Sequence, residues 1–368
     1  MIIHIIFLLL LFSIYFLAGG NSSQTNMVIR RRQVTLMGFL LFLFAALRSP
    51  EVGIDVLGFQ RGDAGYYLEY LQDSEMSFGE IFDYRVGRDP VFHCFLKVLS
   101  YLWPSPQFML IVVGAIFSFG FSYFVYHSKG NVLLIYMMLI GFRIFPFSMS
   151  ALRQAIALGI IYIAYIYLRD EKYVKYLILT GLAMLFHQSA MVFLLALLIM
   201  RIRPVYVYVS VAVLLLVNFV GGQVITYLAS SFFGGRFDGY LARSANMEFE
   251  GGATFFIYIS FYLLLLANTR SLKKVDPSYE KKFALVTVGI FFSIIGQSMD
   301  NAFRVAYYFI FLLFPATSLL LDNLFRNKND RGMIYFTMSV LLAIQYVLLG
   351  PGAGTDNYQF FWTFNYFK

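Results

Sequence analysis

Apolar runs long enough to cross a bilayer recur along the whole chain, and they narrow the fold more than any motif does. Hydrocarbon offers no water to the backbone, so a spanning segment must close its own hydrogen bonds, as a helix does. The chain has 368 residues, 60% hydrophobic and only 13% charged, where a soluble domain carries about 25% charged residues. The expectation is an all-α polytopic integral membrane protein, a single membrane domain over residues 1–368. No polar stretch is long enough for a separate soluble domain. One cysteine, Cys94, excludes an intramolecular disulfide and a cysteine metal cluster, and four scattered histidines make no zinc motif. There is no P-loop, no GxSxG and no visible internal repeat.

Lys and Arg near helix ends favour the cytoplasm. Basic connectors at 30–32, 169–175, 201–203, 270–282 and 326–331 therefore read as inside, with the turn 127–131 joining them. Between them lie twelve expected helices, at about 2–18, 33–48, 107–126, 131–145, 150–168, 173–186, 188–200, 204–220, 253–269, 282–299, 304–323 and 332–349. Both termini then fall outside. The first run lacks a basic flank before it, so it reads as a retained helix rather than a signal peptide. The pair 173–186 and 188–200 is short and turns at "FHQS", as two thin tilted helices or a re-entrant hairpin. The outer segments are 49–106, 221–252 and the tail 350–368. Residues 91–103 are too short to span, and parity makes them an interfacial helix.

This threading divides the 28 basic residues unevenly, placing nine arginines but only two lysines, Lys97 and Lys368, on the outside. Solubility alone would use either residue, whereas a planar fork that grips phosphate oxygens in pairs must be arginine. The alternative is that outer arginines pair with outer acids, which suits Arg61, Arg85 and Arg88 better than Arg143 and Arg153. The first outer loop is rich in tyrosine and phenylalanine, and the tail repeats the theme in "DNYQFFWTFNYF". Flat apolar faces beside carboxylates suit a sugar chain, and they equally suit an interfacial aromatic belt. Ser77 and Glu80 have the spacing of a capping box. The second loop has glycine pairs fit for hinges, and Arg236 and Arg243 share a face if that segment is helical.

Ionisable residues within apolar helices are rare and need a polar partner or a cavity. Four such places fall at a similar outer depth: Arg153 with Gln154, Arg304 four residues after Asp300, His187 at the hairpin apex, and Arg143 before Pro146. Arg48 closes the second helix on the same side.

Several short pieces, in order, resemble the EpsG-like membrane proteins, Wzy-type polymerases of bacterial exopolysaccharide, capsule and O-antigen. "RGDAGYY" resembles a Gly-Asp-Tyr signature after the second helix and places Asp63 and Tyr67 on it. Here Gly62 directly precedes Asp63, where the family usually has one residue between. "RDPVFHCFLKVL" resembles the following acid-Pro-aromatic segment. "SALRQAIALGI" resembles the Leu-Arg-Gln helix start with Arg153 and Gln154, and "LAMLFHQSAMVFLLAL" the hairpin with His187. "NAFRVAYYF" resembles an Arg-x-x-x-Tyr-Phe element with Arg304 and Tyr308.

The resemblance implies a glycosyltransferase in the bacterial cytoplasmic (inner) membrane that joins repeat units carried on undecaprenyl diphosphate, on the outer face. Its partners would be that lipid-linked oligosaccharide, the growing polysaccharide, membrane lipid, and a chain-length regulator and flippase of the same pathway, with no nucleic acid. In this reading Arg153 and Arg304 hold the diphosphate, and His187 or Asp63 takes the acceptor's proton. Arg143, Arg48, Arg236, Arg243, Gln154, Tyr67, Asp300 and Tyr308 line the substrate. No acidic pair with metal-ligand spacing is seen, so neither metal nor cofactor is expected. The rivals are a lipid-linked oligosaccharide flippase, which should show two related halves, and a membrane glycosyltransferase using a polyprenyl-phosphate sugar. The threading itself predicts that a reporter fused at residue 273 behaves as cytoplasmic and one at residue 240 as external. The opposite pattern in intact cells would remove the basis of the arginine argument.

Overall fold

The computed structural model describes residues 1–21, 26–57, 65–84, 89–221, 252–296 and 302–363. Asp63, Arg236, Arg243 and Asp300 lie outside them. The chain divides into two compact units, one of Met1–Met191 with Asn327–Lys368 and one of Val192–Arg326.

In the first unit the long helices are α1 (Ile2–Leu17) and α2 (Met27–Ala46). Three short helices follow: α3 (Ile54–Leu57), α4 (Tyr66–Glu75) and α5 (Phe78–Tyr84). Next come α6 (Pro90–Leu102), α7 (Pro106–His127), α8 (Val132–Gly141), α9 (Ile144–Ser150), α10 (Leu152–Arg169) and α11 (Tyr173–Phe186). The C-terminal helix, Lys328–Leu349, completes the unit. α2, α7, α10 and α11 pack side by side in that order, and α8 lies against the C-terminal helix. α8 is buried along its whole length. An element apolar all round belongs inside the bundle, and its sequence "VLLIYMMLIG" has no polar face to turn outward.

The α7–α10 crossing is set by two glycines. A Cβ added at Gly120 would stand 2.0 Å from the Gly159 carbonyl oxygen, and one at Gly159 would stand 2.7 Å from that of Ile116. With no aqueous driving force between helices in lipid, small residues that let backbones approach supply the packing.

Polar contacts mark two ends of this unit. At one end the Arg30 guanidinium donates to the carbonyls of Val125, Tyr126, Ser128 and Gly130, and Arg169 donates to that of His127. At the other, the tail folds back on the loop after α2. Ser49 N–H donates to Gln359 O, Phe361 N–H to Leu47 O and Gly53 N–H to Gly354 O, and the amino group of Met1 donates to Asp356 O. The tail's path needs left-handed backbone at Gly350, Gly352 and Gly354, which glycine adopts without a Cβ clash. Met1, the tail and the 47–54 loop thus share one end, and Asn21, Arg30, the turn 125–131 and Arg169 share the other.

In the second unit the helices are α12 (Leu195–Ile199), α13 (Pro204–Gly221), α14 (Ala253–Ala267), α15 (Thr269–Val275), α16 (Tyr279–Ile295), α17 (Ala302–Ile310) and α18 (Leu313–Leu324). α16 packs on α13 and α17. Asn323 Nδ2 donates to the Ser271 hydroxyl, tying α18 to α15.

Each of the twelve expected segments contains helix among the described residues. Among those residues three helices, α7, α10 and the C-terminal helix, are long and apolar enough to cross a membrane alone. Up to six spans result if bent pairs count as one: α8 with α9 at 55°, α14 with α15 at 69°, and α17 with α18 at 47°. The expected single helices 131–145 and 304–323 are in fact broken. The first breaks at Arg143, where the chain turns left-handed at φ 60°. The hairpin is a helix followed by a 3₁₀ stretch, Gln188–Leu194, and the short α12. The expected interfacial helix is α6. It buries His93 and Lys97 together with Phe92, Leu96 and Leu99, and exposes Val98, Tyr101 and Leu102, apolar groups that an interfacial helix would turn to lipid.

Gly120→Ala should cost about 1–3 kcal/mol of stability through overpacking. Gly181→Ala in α11, where an added Cβ meets nothing within 4 Å, should be neutral or slightly stabilising. Thermal midpoints of the two variants by size-exclusion in detergent compare them directly; equal midpoints would mean that the α7–α10 crossing does not depend on glycine.

Candidate active site

Four side chains from distant stretches meet in the first unit. Arg153 is the second residue of α10. Its Nη1 donates to Asp89 Oδ2 at 3.1 Å, and its Nε donates to the Tyr66 hydroxyl at 3.2 Å. The guanidinium carbon stands 5.5 Å from the Tyr66 ring centroid, within cation–π range. His187 caps the end of α11 in extended backbone, and its Nδ1 lies 3.8 Å from the same Asp89 oxygen. The side chains of Arg153 and His187 are each 28% exposed and that of Asp89 20%. The cluster is therefore partly open rather than sealed.

Local sequence explains each placement. Asp89 precedes Pro90, which occupies the first turn of α6, where its missing N–H is no loss. Asp89 itself is left-handed at φ 57°, a region that aspartate tolerates better than most residues and that recurs at functional sites. Tyr66 is the first residue of α4, and its ring meets Phe92 of α6 edge-on at 5.6 Å. A buried pair joins these two helices: Asp73 Oδ2 lies 2.6 Å from His93 Nδ1, with exposures of 0% and 1%. The elements that carry the two partners of Arg153 are thereby fixed to each other. Phe95 of α6 meets Phe186 of α11 edge-on at 5.4 Å, which holds the end of α11 and its His187 nearby. Burial pushes the Tyr66 phenol up, and the neighbouring guanidinium partly offsets this.

Of the other expected residues, Gln154 is buried beside Arg153, and Tyr67 is buried in α4. The Arg48 side chain, 1% exposed, donates to the carbonyls of Ala45 and Met149. Arg143 donates to the carbonyl of Leu349. Both guanidinia bind the ends of helices. In the second unit Arg304 is partly buried in α17, and Tyr308 is fully buried there. The Ser77–Glu80 capping box forms in both directions, at 2.6 and 3.2 Å, so Glu80 has a structural role and its carboxyl is held below the usual range by the Ser77 N–H. Among the described residues no group of three or more His, Cys, Asp or Glu could hold a metal ion.

Sequence reasoning did not single out Asp89 or Tyr66 as site residues. The signal for Asp89 was an acid directly before a proline at a helix start. For Tyr66 over Tyr67, only the register of α4 on α6 decides.

A protein-family model described as the EpsG family matches residues 31–364. Neither a curated protein nor a solved structure matches the chain.

Asp89→Asn and Arg153→Gln should be coupled by about 0.5–1 kcal/mol, as expected for a partly exposed pair in contact. The double variant should then unfold no earlier than Arg153→Gln alone in thermal unfolding. Fully additive losses would mean that the pair contributes nothing.

Proposed function

Because the chain belongs to the EpsG family, a family of polysaccharide polymerases in exopolysaccharide biosynthesis, we propose that it joins lipid-linked repeat units at the Arg153–Asp89–Tyr66–His187 cluster. The substrate in this reading is an oligosaccharide repeat unit on undecaprenyl diphosphate. The reaction takes place on the outer face of the bacterial cytoplasmic membrane, the face to which both termini are assigned. The observation that carries this reading is the meeting of an arginine fork, a carboxylate and an imidazole from three separate family-like segments at one partly open place.

The chemistry needs three things. The acceptor sugar's hydroxyl attacks the anomeric carbon at the reducing end of the growing chain. The bond from that carbon to the diphosphate oxygen breaks, and undecaprenyl diphosphate leaves with the electron pair. The hydroxyl proton must go to a base. Arg153 stabilises charge on the leaving diphosphate, and its position at the N-terminus of α10 adds the favourable end of the helix dipole. His187 takes the proton, with Asp89 beside it to hold the imidazole's orientation and favour its charged form. Tyr66 positions the guanidinium through its hydroxyl and its ring face. The energy of the sugar–diphosphate bond drives the reaction, so no nucleotide is needed, and the fork does at the leaving phosphate what a divalent ion would otherwise do.

Purified protein in detergent, given lipid-diphosphate repeat units with EDTA and without nucleotide sugar, should yield a ladder rising by whole repeats. Released undecaprenyl diphosphate should equal the bonds made. Arg153→Lys keeps the charge and loses the fork, and should lower the rate by about 2–4 kcal/mol of transition-state stabilisation at unchanged protein level. His187→Gln should abolish turnover at every pH. Growth by single sugars would point to a monosaccharide transferase, and unchanged substrate with a folded sample would point to a flippase.

A further inference from the structure

The chain has only two tryptophans, and the structure gives them different company. Trp103 ends α6 beside exposed Tyr101 and Leu102, on the face read above as lying at the membrane interface. Trp362 lies in the tail. Its ring stacks on Phe360 with centroids 4.4 Å apart and planes within 6°, and the residue is 60% exposed. Asp356, Asn357 and Gln359, close by in sequence, are all exposed. A flat, exposed indole face held on a second ring suits a sugar ring, which offers an apolar CH face to stack on. At a lipid interface an indole would instead lie with its ring toward the acyl chains and its N–H at the headgroups.

The stack is also held in place. Gln359 O and the Phe361 N–H bond to the backbone of Ser49 and Leu47, and Thr363 N–H closes a 3₁₀ turn on Phe360 O. The Tyr358 hydroxyl donates to Phe44 O at 2.7 Å. A preformed face loses little freedom when a ligand binds. The stack shares an end of the unit with the bond-forming cluster. Arg48, which pairs with Phe360 in a short antiparallel bridge, donates to Met149 O, three residues before α10 begins.

We propose that the Phe360–Trp362 stack is a binding platform for the growing polysaccharide, separate from the bond-forming cluster, and that it retains the chain between additions. This rests on the polymerase reading. The platform takes the apolar CH face of a glycan rather than a lipid, and its loss shortens the product without stopping bond formation.

The test uses two single-tryptophan proteins, Trp103→Phe and Trp362→Phe, in detergent and in vesicles. The probe is oligosaccharides cut by mild acid from the polysaccharide that cells carrying this protein produce. Emission from Trp362 should shift or quench on titration, while that of Trp103 stays constant. In vesicles, brominated lipid should quench Trp103 and leave Trp362 largely unquenched. In the polymerisation assay, Trp362→Leu keeps an apolar side chain without the flat face. It should give a product several-fold shorter, with the first bond formed at the normal rate, and Trp362→Tyr should restore length. Quenching of Trp362 by brominated lipid, or normal length from Trp362→Leu, would overturn the platform while leaving the polymerase reading intact. Failure of the first bond in the unaltered protein would overturn the polymerase reading instead, and the emission titration would still decide whether the stack binds glycan.

Discussion

A helix leaves its last four carbonyls without partners, and in this protein guanidinium groups supply them. Arg30 takes four carbonyls at and after the end of α7, and Arg169 takes that of His127. Arg48 serves the ends of α2 and α9, and Arg143 the end of the C-terminal helix. Each cation meets the negative end of a helix dipole, and all these bonds but Arg48 to Ala45 tie two segments distant in sequence. Hydrogen bonds to charged groups contribute about 1.5–3 kcal/mol each, and a bare carbonyl away from water would cost a similar amount. The turns and the tail of the first unit hold their places through these caps. Lysine could not do this with one compact head, because several acceptors must be reached in a plane.

Arg153 stands apart from this use. Its described partners are side chains, Asp89 and Tyr66, not helix-end carbonyls. Its partners come from α4 and from the residue that starts α6. Those helices are joined by the buried Asp73–His93 pair, a contact that is costly to break once both groups are away from water. His93 and Lys97 of α6 thus point into the protein with Phe92, Leu96 and Leu99, while Val98, Tyr101 and Leu102 face outward. This arrangement fixes the short helix against α4 while the residue before it, Asp89, reaches Arg153.

Two of the four described non-glycine residues that turn left-handed reinforce the contrast. Arg143 at φ 60° breaks the α8–α9 helix so that its side chain reaches the C-terminal helix, and Asp89 at φ 57° aims its carboxylate at Arg153 and His187. Such backbone costs on the order of 1–3 kcal/mol, and surrounding contacts must hold it. In one place it serves architecture, and in the other it assembles the cluster.

The helical, membrane-adapted character of the chain was legible in its sequence, because hydrocarbon forces apolar runs to be helices whatever their neighbours. So were the shared end of Met1 and the tail's Asp356, the helical nature of 91–103, and the standing of Arg153 and His187 as polar groups in apolar surroundings that need a partner. The breaks at Arg143 and between α17 and α18 were not legible, since an apolar run reads alike whether straight or bent. The number of arginines facing outward suggested phosphate binding, but a guanidinium next to a helix end and one in a site look the same in one dimension. Only the tertiary structure separates Arg48 and Arg143, spent on carbonyls, from Arg153, held by Asp89 and Tyr66. Only it selects Tyr66 over Tyr67, because adjacent residues on a helix point about 100° apart and the packing of α4 on α6 decides which of the two faces the guanidinium.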